Sequence, residues 1–434
     1  MHPKVLIIAT TPYSTSDSSR TLDAYFHYWE KDRVAQIFSR NWIPNKGHCG
    51  EMYQITDASL LKKWLHKTVD VGRIYQYDEM RDQDGNEMIK DSSAVSLSYK
   101  IGEKHLPSIE ILRALLWRKK FWCTQKLIEW LDEFKPECIV YNFSNHLFTQ
   151  QIALFVAERY RIPIIVIIGD NYYFDEIKSR SPFYKLFRLR FKKWTERILA
   201  SGCSAVYCSD KIKELYNNYF HIHGETVYFS SSLKRREFRP INVKNPYIVY
   251  FGSIRLGRNL ALLDIAKALS KIDASYKLAV YSNENDENIY GVLKDAPNII
   301  YGGSIPYSQV QKKIAESDIF VIAEGFREED ISLTRYSLST KASDGLASGV
   351  AILTYGPEEA GVVEYMETTG ASMVCTDPDR LEDSIRKLIN NVDLQRLYYQ
   401  KAINVTEEHH TIKASTEKFE SIVDKAVRNY DFKR

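Results

Sequence analysis

The chain lacks the C-x-x-C spacing from which zinc knuckles and redox pairs are built. Its six cysteines (Cys49, Cys123, Cys138, Cys203, Cys208, Cys375) include no C-x-x-C, so those chemistries drop out and buried free thiols in a reducing compartment are the simpler reading. Long hydrophobic runs are missing too. Nothing approaches the roughly 18 apolar residues a membrane span needs, and only Lys4 precedes the first apolar run; the expectation is a cytoplasmic protein. Net charge is nearly absent: 59 basic and 56 acidic side chains leave +3, too little for electrostatic binding of nucleic acid by the whole molecule. Any anion site must be local.

What is present is ordinary globular composition, 44% apolar and 26% charged, over a length that exceeds one hydrophobic core. Two or three domains with a cleft between lobes are expected. Short β-branched runs alternate with helical patterns: Lys4 to Thr10, Glu137 to Tyr141, Ile164 to Ile168 and Ala205 to Cys208 in the first half. After Pro240 come Tyr247 to Phe251, Lys277 to Tyr281, Ile299 to Tyr301, Ile319 to Ala323 and Ala351 to Thr354. That alternation predicts an α/β protein of two doubly wound parallel sheets. Pro240 and Pro246 punctuate the change, which puts a first domain at 1–240 and a second at 241–410. Residues from about 72 to 108 read as a polar excursion of the first domain.

In open parallel sheets ligands bind beyond the carboxyl ends of the strands. The residues found there are Thr11, Tyr13 and Arg20 after the first run, Asn142 to His146 after the Glu137 run, and Gly169 to Tyr172 after the Ile164 run. In the second half Tyr247 to Phe251 opens into G-S-I-R-L-G-R-N (Gly252 to Asn259) before a helical pattern. An arginine-bearing glycine turn at a helix N-terminus suits phosphate, and it equally describes a solvated surface turn. Further on, S-T-K-A-S-D-G-L-A-S-G (Ser339 to Gly349) is a short helix ended by glycine, with Lys341 and Asp344 on one face. Taken alone, that pair reads as a surface ion pair worth a few tenths of a kcal/mol.

K-A-S-D-G-L-A-S-G-V-A-I-L-T-Y-G-P resembles the donor-site segment of group 1 glycosyltransferases with the GT-B fold. The likeness extends in order along the chain through K-P-E-C-I-V-Y-N, R-I-P-I-I-V-I-I-G-D, F-G-S-I-R-L-G-R-N, Y-G-G-S-I-P-Y and S-D-I-F-V-I-A-E-G-F. It implies two Rossmann-like domains facing a cleft, a nucleotide-sugar held mainly by the second, and a C-terminal crossover helix (411–434) returning to the first. By the same resemblance Asp344 corresponds to the second glutamate of the family's pair and binds ribose hydroxyls. Arg258 corresponds to the lysine on the diphosphate, with Lys341 as a further basic group. The arginine expected after Gly252 is Ser253, and Arg255 is the substitute nearest in sequence. Ser304 and Ile305, after Gly303, match the turn that reads the base. Thr340 belongs to the donor helix. The first glutamate of the pair falls at Tyr336 by spacing, and Glu324 of A-E-G-F, which precedes an insertion, is a further candidate for the nucleotide-sugar site.

In the first domain, Asp170 stands where the family often has a histidine near the transferred sugar, and His146 lies one strand earlier; these are the catalytic candidates. Each also has a structural reading, Asp170 as a turn cap and His146 as an interior hydrogen-bonded residue. Thr11, Tyr13 and Arg20 are the acceptor-side candidates. The implied reaction is attack of an acceptor hydroxyl on the anomeric carbon with loss of a nucleoside diphosphate and retention of configuration. A UDP-sugar is favoured, a GDP-sugar is possible, and a glycan or lipid-linked acceptor is expected, as in bacterial surface polysaccharide synthesis. No cofactor is implied, and no metal: the D-x-D pairs read as a turn at Asp82 and Asp84 and as a helix start at Asp377 and Asp379. Ser181 to Arg197 carries Phe183, Phe187, Phe191 and Trp194 at helical spacing among clustered bases. This stripe either packs on the first sheet or touches an anionic membrane surface, which would make the protein peripheral at the inner face. The other classes that share the fold are a sugar-nucleotide epimerase or phosphorylase and a non-catalytic partner subunit.

Overall fold

A computed structural model describes residues 1–13, 20–65, 69–82, 87–88, 113–174 and 181–430. The chain divides into two compact units, Met1–Thr226 with Thr416–Arg434, and Val227–Ser415.

The first unit is built on an eight-stranded sheet: β1 (Val5–Ile8), β2 (Val34–Phe38), β3 (Glu51–Gln54), β4 (Arg73–Gln76), β5 (Cys138–Asn142), β6 (Ile164–Ile168), β7 (Ser204–Tyr207) and β8 (Glu225–Thr226). Their order across the sheet is β8-β7-β6-β5-β1-β2-β3-β4, all parallel except β4. Runs such as I-I-V-I-I in β6 are buried along their whole length, because crossover helices cover both faces of a parallel sheet. Strand order reverses between β1 and β5, so the loops after these two strands open a crevice at the carboxyl edge.

Helix α1 (Leu147–Tyr160) is buried almost all round and ends at Arg161, whose φ of 55° is left-handed. Helix α2 (Pro182–Leu199) starts with proline in its first turn, where no backbone donor is lost, and packs on α1. Its inner row is Phe187, Arg188, Phe191, Thr195, Ile198 and Leu199. Sequence spacing placed four aromatics in a single stripe, and the helix divides them. Phe187 and Phe191 are buried, worth about 2 kcal/mol each. Trp194 is half-buried, and Phe183 is 52% exposed on the other side.

The second unit carries β9 (Ile248–Phe251), β10 (Leu278–Tyr281), β11 (Ile299–Gly303), β12 (Ile319–Ala323), β13 (Ala351–Tyr355) and β14 (Met373–Cys375), all parallel in the order β11-β10-β9-β12-β13-β14. Alternate residues feed two cores: Ile248, Tyr250, Ile319 and Val321 on one face, Val249, Phe251, Phe320 and Ile322 on the other. Here the order reverses between β9 and β12. Helix α3 (Arg258–Ile272) follows β9, α4 (Glu328–Thr334) and α5 (Thr340–Ser348) follow β12, and α6 (Ile412–Arg428) closes the chain.

The boundary between the units lies earlier than the prolines suggested. Residues 227–240 have no regular structure, yet long side chains pin them to the second unit. Arg236 donates to the carbonyls of Ser317 (2.6 Å) and Gly349 (3.3 Å), and Arg239 pairs with Asp318 (3.2 Å). Where the chain enters and leaves this unit, the fully buried His410 bridges it, with its Nδ1 2.6 Å from the Phe229 carbonyl and its Nε2 2.7 Å from the Tyr365 hydroxyl. Helix α6 divides at Thr416. Its later part packs Phe419 against Tyr25 and Phe26 of the first unit, with ring centroids 4.6 and 5.4 Å apart.

Candidate functional site

At the switch point of the second sheet, the loops after β9 and β12 bring two opposite charges together. Arg258, the first residue of α3, donates from Nε and a terminal nitrogen to the two carboxylate oxygens of Glu324 at 2.9 and 3.0 Å. Glu324, directly after β12, is 1% exposed. Two-point geometry of this kind is the strong form of an ion pair. The flanking Glu324 charge raises the Arg258 guanidinium against the penalty of burial.

Lys341, in the first turn of α5, completes a cationic pair with Arg258. Its ammonium stands 5.0 Å from the centroid of the buried Tyr250 ring. Burial first, and the Arg258 charge second, push its pKa down to about 8. The turn below is shaped for this contact. Gly252 has φ +112°, a backbone conformation that favours glycine, and a Cβ there would crowd Lys341 Cε at 3.0 Å. Asp344 does not pair with Lys341 as a surface couple would. It is buried, and its Oδ1 accepts a 2.7 Å hydrogen bond from Ser231 of the 227–240 segment.

The expected free donors at the start of α3 are mostly spent. Arg258 N–H bonds to the Arg255 carbonyl and Asn259 N–H to that of Ile254. Arg255 turns away from the pair, gripping Glu284 at 2.6 Å. Ser253 sits exposed on the turn, its hydroxyl accepting from Arg255 N–H at 3.3 Å. Thr340 is exposed at the start of α5, and its carbonyl accepts from the Ser343 hydroxyl. Ser304 and Ile305 follow β11 at the edge of the same carboxyl end, Ser304 exposed and Ile305 half-buried.

Of two acids at this strand end, Glu324 was named from A-E-G-F and Asp330 was not. Glu324 stands directly after β12, and α4 is inserted between it and α5, which puts Tyr336 beyond the insertion. Asp330 of that helix is 2% exposed and paired with Arg327 at 2.7 Å. Its carboxylate lies against Gly257, where any Cβ would collide with it. The signal for Glu324 was A-E-G-F itself; nothing in the pattern marked Asp330 or Ser231.

In the first unit, Asp170 is exposed on the loop after β6 and accepts from the Tyr172 hydroxyl at 3.0 Å. His146 is half-buried at the start of α1, its Nδ1 3.2 Å from Arg113, whose Nε bonds to Asp57 at 3.1 Å. An arginine can only donate, so Nδ1 is the acceptor and Nε2 carries the proton. Tyr13 does not line an open surface: it is fully buried, its hydroxyl bonds to Asp23 at 2.8 Å, and burial drives its pKa well up. Thr11 lends its carbonyl to Gln36 at 2.9 Å. The Arg20 side chain and Asp84 lie outside the described residues. Asp377 caps the turn at Pro378–Arg380 through Asp379 N–H, as the helix-start reading of T-D-P-D requires. Among the described residues, no three His, Cys, Asp or Glu side chains gather as a metal site would, and no helix is long and apolar enough to cross a membrane.

Several solved structures share the fold of this chain. Sucrose-phosphate synthase of Thermosynechococcus elongatus superposes with a TM-score of 0.55 at 11% identity, over 98% of this chain and 99% of that one. The chain has the GT-B fold. The E. coli trehalose-6-phosphate protein bound with UDP-2-fluoro glucose gives 0.59 at 8% identity, over 97% and 99%. TarM gives 0.51 at 14% identity over 68% of this chain, which spans only 57% of TarM's length. No family model matches the sequence, and no curated protein sequence does.

Proposed function

We propose that the chain is a glycosyltransferase that binds a nucleotide-sugar on its second unit, with UDP-sugars favoured over GDP-sugars. The observation that carries this reading is the Arg258–Glu324 pair with Lys341 beside it, at the topological switch point of a GT-B unit. The carboxyl edge from β11 to β12 spans three strand spacings, about 14 Å, room for an extended ligand. The base would lie by Ser304 and Ile305, the ribose by Asp344, and the diphosphate by Ser253, Arg258 and Lys341. A structural relative of this fold binds UDP-2-fluoro glucose, which supports the donor class.

In the proposed reaction an acceptor hydroxyl attacks the anomeric carbon, the sugar–phosphate bond breaks with both electrons going to the diphosphate, and the hydroxyl proton passes to a diphosphate oxygen. The demanding step is the charge on that leaving group, and fixed cations meet it without metal. Glu324 is placed to receive sugar hydroxyls once phosphate oxygens take over Arg258. Asp170 and His146 are assigned to the sugar and acceptor side, with a glycan or lipid-linked alcohol of surface polysaccharide synthesis as acceptor and retention of configuration.

Titration calorimetry with UDP, GDP, ADP and CMP, followed by slow hydrolysis of the matching sugar nucleotides, tests the reading. UDP binding that Arg258→Met removes, with hydrolysis of at least one UDP-sugar, is the expected result. Absence of binding by every nucleotide would overturn it; binding without any turnover would favour a non-catalytic partner subunit.

A further inference from the structure

We propose that the outer face of α2 docks on an anionic lipid bilayer. With the inner row of this helix packed on α1, the opposite face presents Phe183, Leu186 and Leu189, 52, 42 and 69% exposed. Between and beyond them stand Lys185, Arg190 and Lys193, all exposed and, among the described residues, without a carboxylate partner. The one acid on the helix, Glu196, receives the Tyr173 hydroxyl at 2.7 Å, and Arg197 is taken by Glu158 at 3.4 Å. A single exposed leucine means nothing. Three apolar side chains interleaved with three unpaired cations on one helical face match an interfacial helix, which sinks its apolar side into the acyl boundary while cations meet headgroups.

The charge of the face chooses the occupant. A symmetric dimer through it would set its cations against their own copies, whereas an anionic bilayer complements them.

The topology gives the docking a consequence. In the crossover β6–α2–β7 the start of α2 lies at the carboxyl edge of the sheet. Phe183 and Leu186 therefore sit at the same edge as the Asp170 loop. Arg188, on the buried side, ties the two together by donating to the carbonyls of Tyr172 (2.9 Å) and Tyr173 (2.7 Å). A docked α2 brings that loop to the membrane surface, where a lipid-linked acceptor would present its hydroxyl; this consequence, unlike the docking, rests on the transferase reading.

Co-sedimentation of the full chain with vesicles of equimolar phosphatidylglycerol and phosphatidylcholine, and with phosphatidylcholine alone, tests the docking. Binding to the anionic vesicles only, weakening with salt, is expected. Leu186→Ser with Leu189→Ser should lower it about tenfold, and Lys185→Gln, Arg190→Gln, Lys193→Gln together by roughly a hundredfold. All five positions are exposed, so melting temperature and UDP affinity should be unchanged in both variants, which separates this test from that of the donor site. No binding to anionic vesicles at low salt, equal binding by the variants, or a concentration-dependent dimer that the leucine variant dissolves would each overturn the proposal.

Discussion

Glu324 holds Arg258 through both carboxylate oxygens, at 2.9 and 3.0 Å, across the point where the order of the second sheet reverses. On the proposed reading the diphosphate binds at this pair. Binding on this reading is an exchange, in which phosphate oxygens replace carboxylate oxygens on one guanidinium and the released carboxylate turns to the sugar.

That exchange separates the two partners experimentally. Arg258→Met removes the phosphate contact and should weaken UDP binding on the order of a hundredfold. It also leaves Glu324 buried without its counter-charge, at a stability cost of about 3 kcal/mol. Glu324→Gln removes the competitor instead: UDP should bind as well as before or more tightly, while hydrolysis of the UDP-sugar is lost. Calorimetry and product assays on the same preparations would check both, and Glu324→Gln with undiminished turnover would sink the sugar role.

If Lys341 faces the phosphates, as proposed, donor binding should be sensitive to pH. Its ammonium is already losing its proton near pH 8 because burial and Arg258 oppose the charge. A diphosphate favours the charged form, so binding above pH 8 draws a proton in and affinity falls, by up to about tenfold per pH unit. Below pH 8 the lysine is charged before binding and the dependence flattens. In Lys341→Met the decline should vanish, leaving a weaker, flatter profile. Titrations in buffers of different ionisation enthalpy would read the proton directly, and identical profiles in both proteins would show that Lys341 does not face the phosphates.

How much of this could be read from the chain depends on the range of the interactions involved. The strands declared themselves because V-L-I-I, I-I-V-I-I and I-F-V-I-A are β-branched or apolar runs buried on both faces, a local signature. The helix Thr340–Ser348 was marked by the Gly349 that ends it, and the structure adds Ser339 as its cap. Tertiary facts were silent. Residues 227–240 join the second unit through arginines that reach carbonyls some eighty residues or more away, so Pro240 was an attractive but misplaced divider. Tyr13 follows a strand like a site residue, and only the fold shows its hydroxyl spent on Asp23. Counting along the sequence set Tyr336 opposite Asp344 because it cannot see that α4 loops out and leaves Glu324 at the strand end.

Acid should loosen the second unit through His410. Burial lowers its pKa to about 4, below the ordinary value of 6.5, with the neighbouring His409 adding to the effect and the hydrogen bond to the Phe229 carbonyl opposing it. The unfolded chain binds that proton first, so stability is full above pH 6.5 and is lost as pH falls toward 4. The loss amounts to about 3 kcal/mol. Urea melts at pH 7 and 4.5 should show this difference, and His410→Gln, which cannot charge, should show a smaller one from a lower starting stability. An equal acid loss in the variant would assign the effect to other groups.

Asp344 is the last residue whose role divides sharply between structure and binding. Its Oδ1 accepts a 2.7 Å hydrogen bond from the Ser231 hydroxyl, which helps to hold the carboxylate in one rotamer midway along α5. If that carboxylate accepts from ribose hydroxyls, the native protein should prefer UDP over a UDP analogue lacking both hydroxyls by roughly tenfold or more. Asp344→Asn should bind the two nearly alike. Ser231→Ala keeps the charge but frees the rotamer, so it should lose part of the preference and about 1 kcal/mol of stability. A carboxylate that serves only to anchor the 227–240 segment would give a different pattern: both variants less stable, and the preference for the intact ribose untouched.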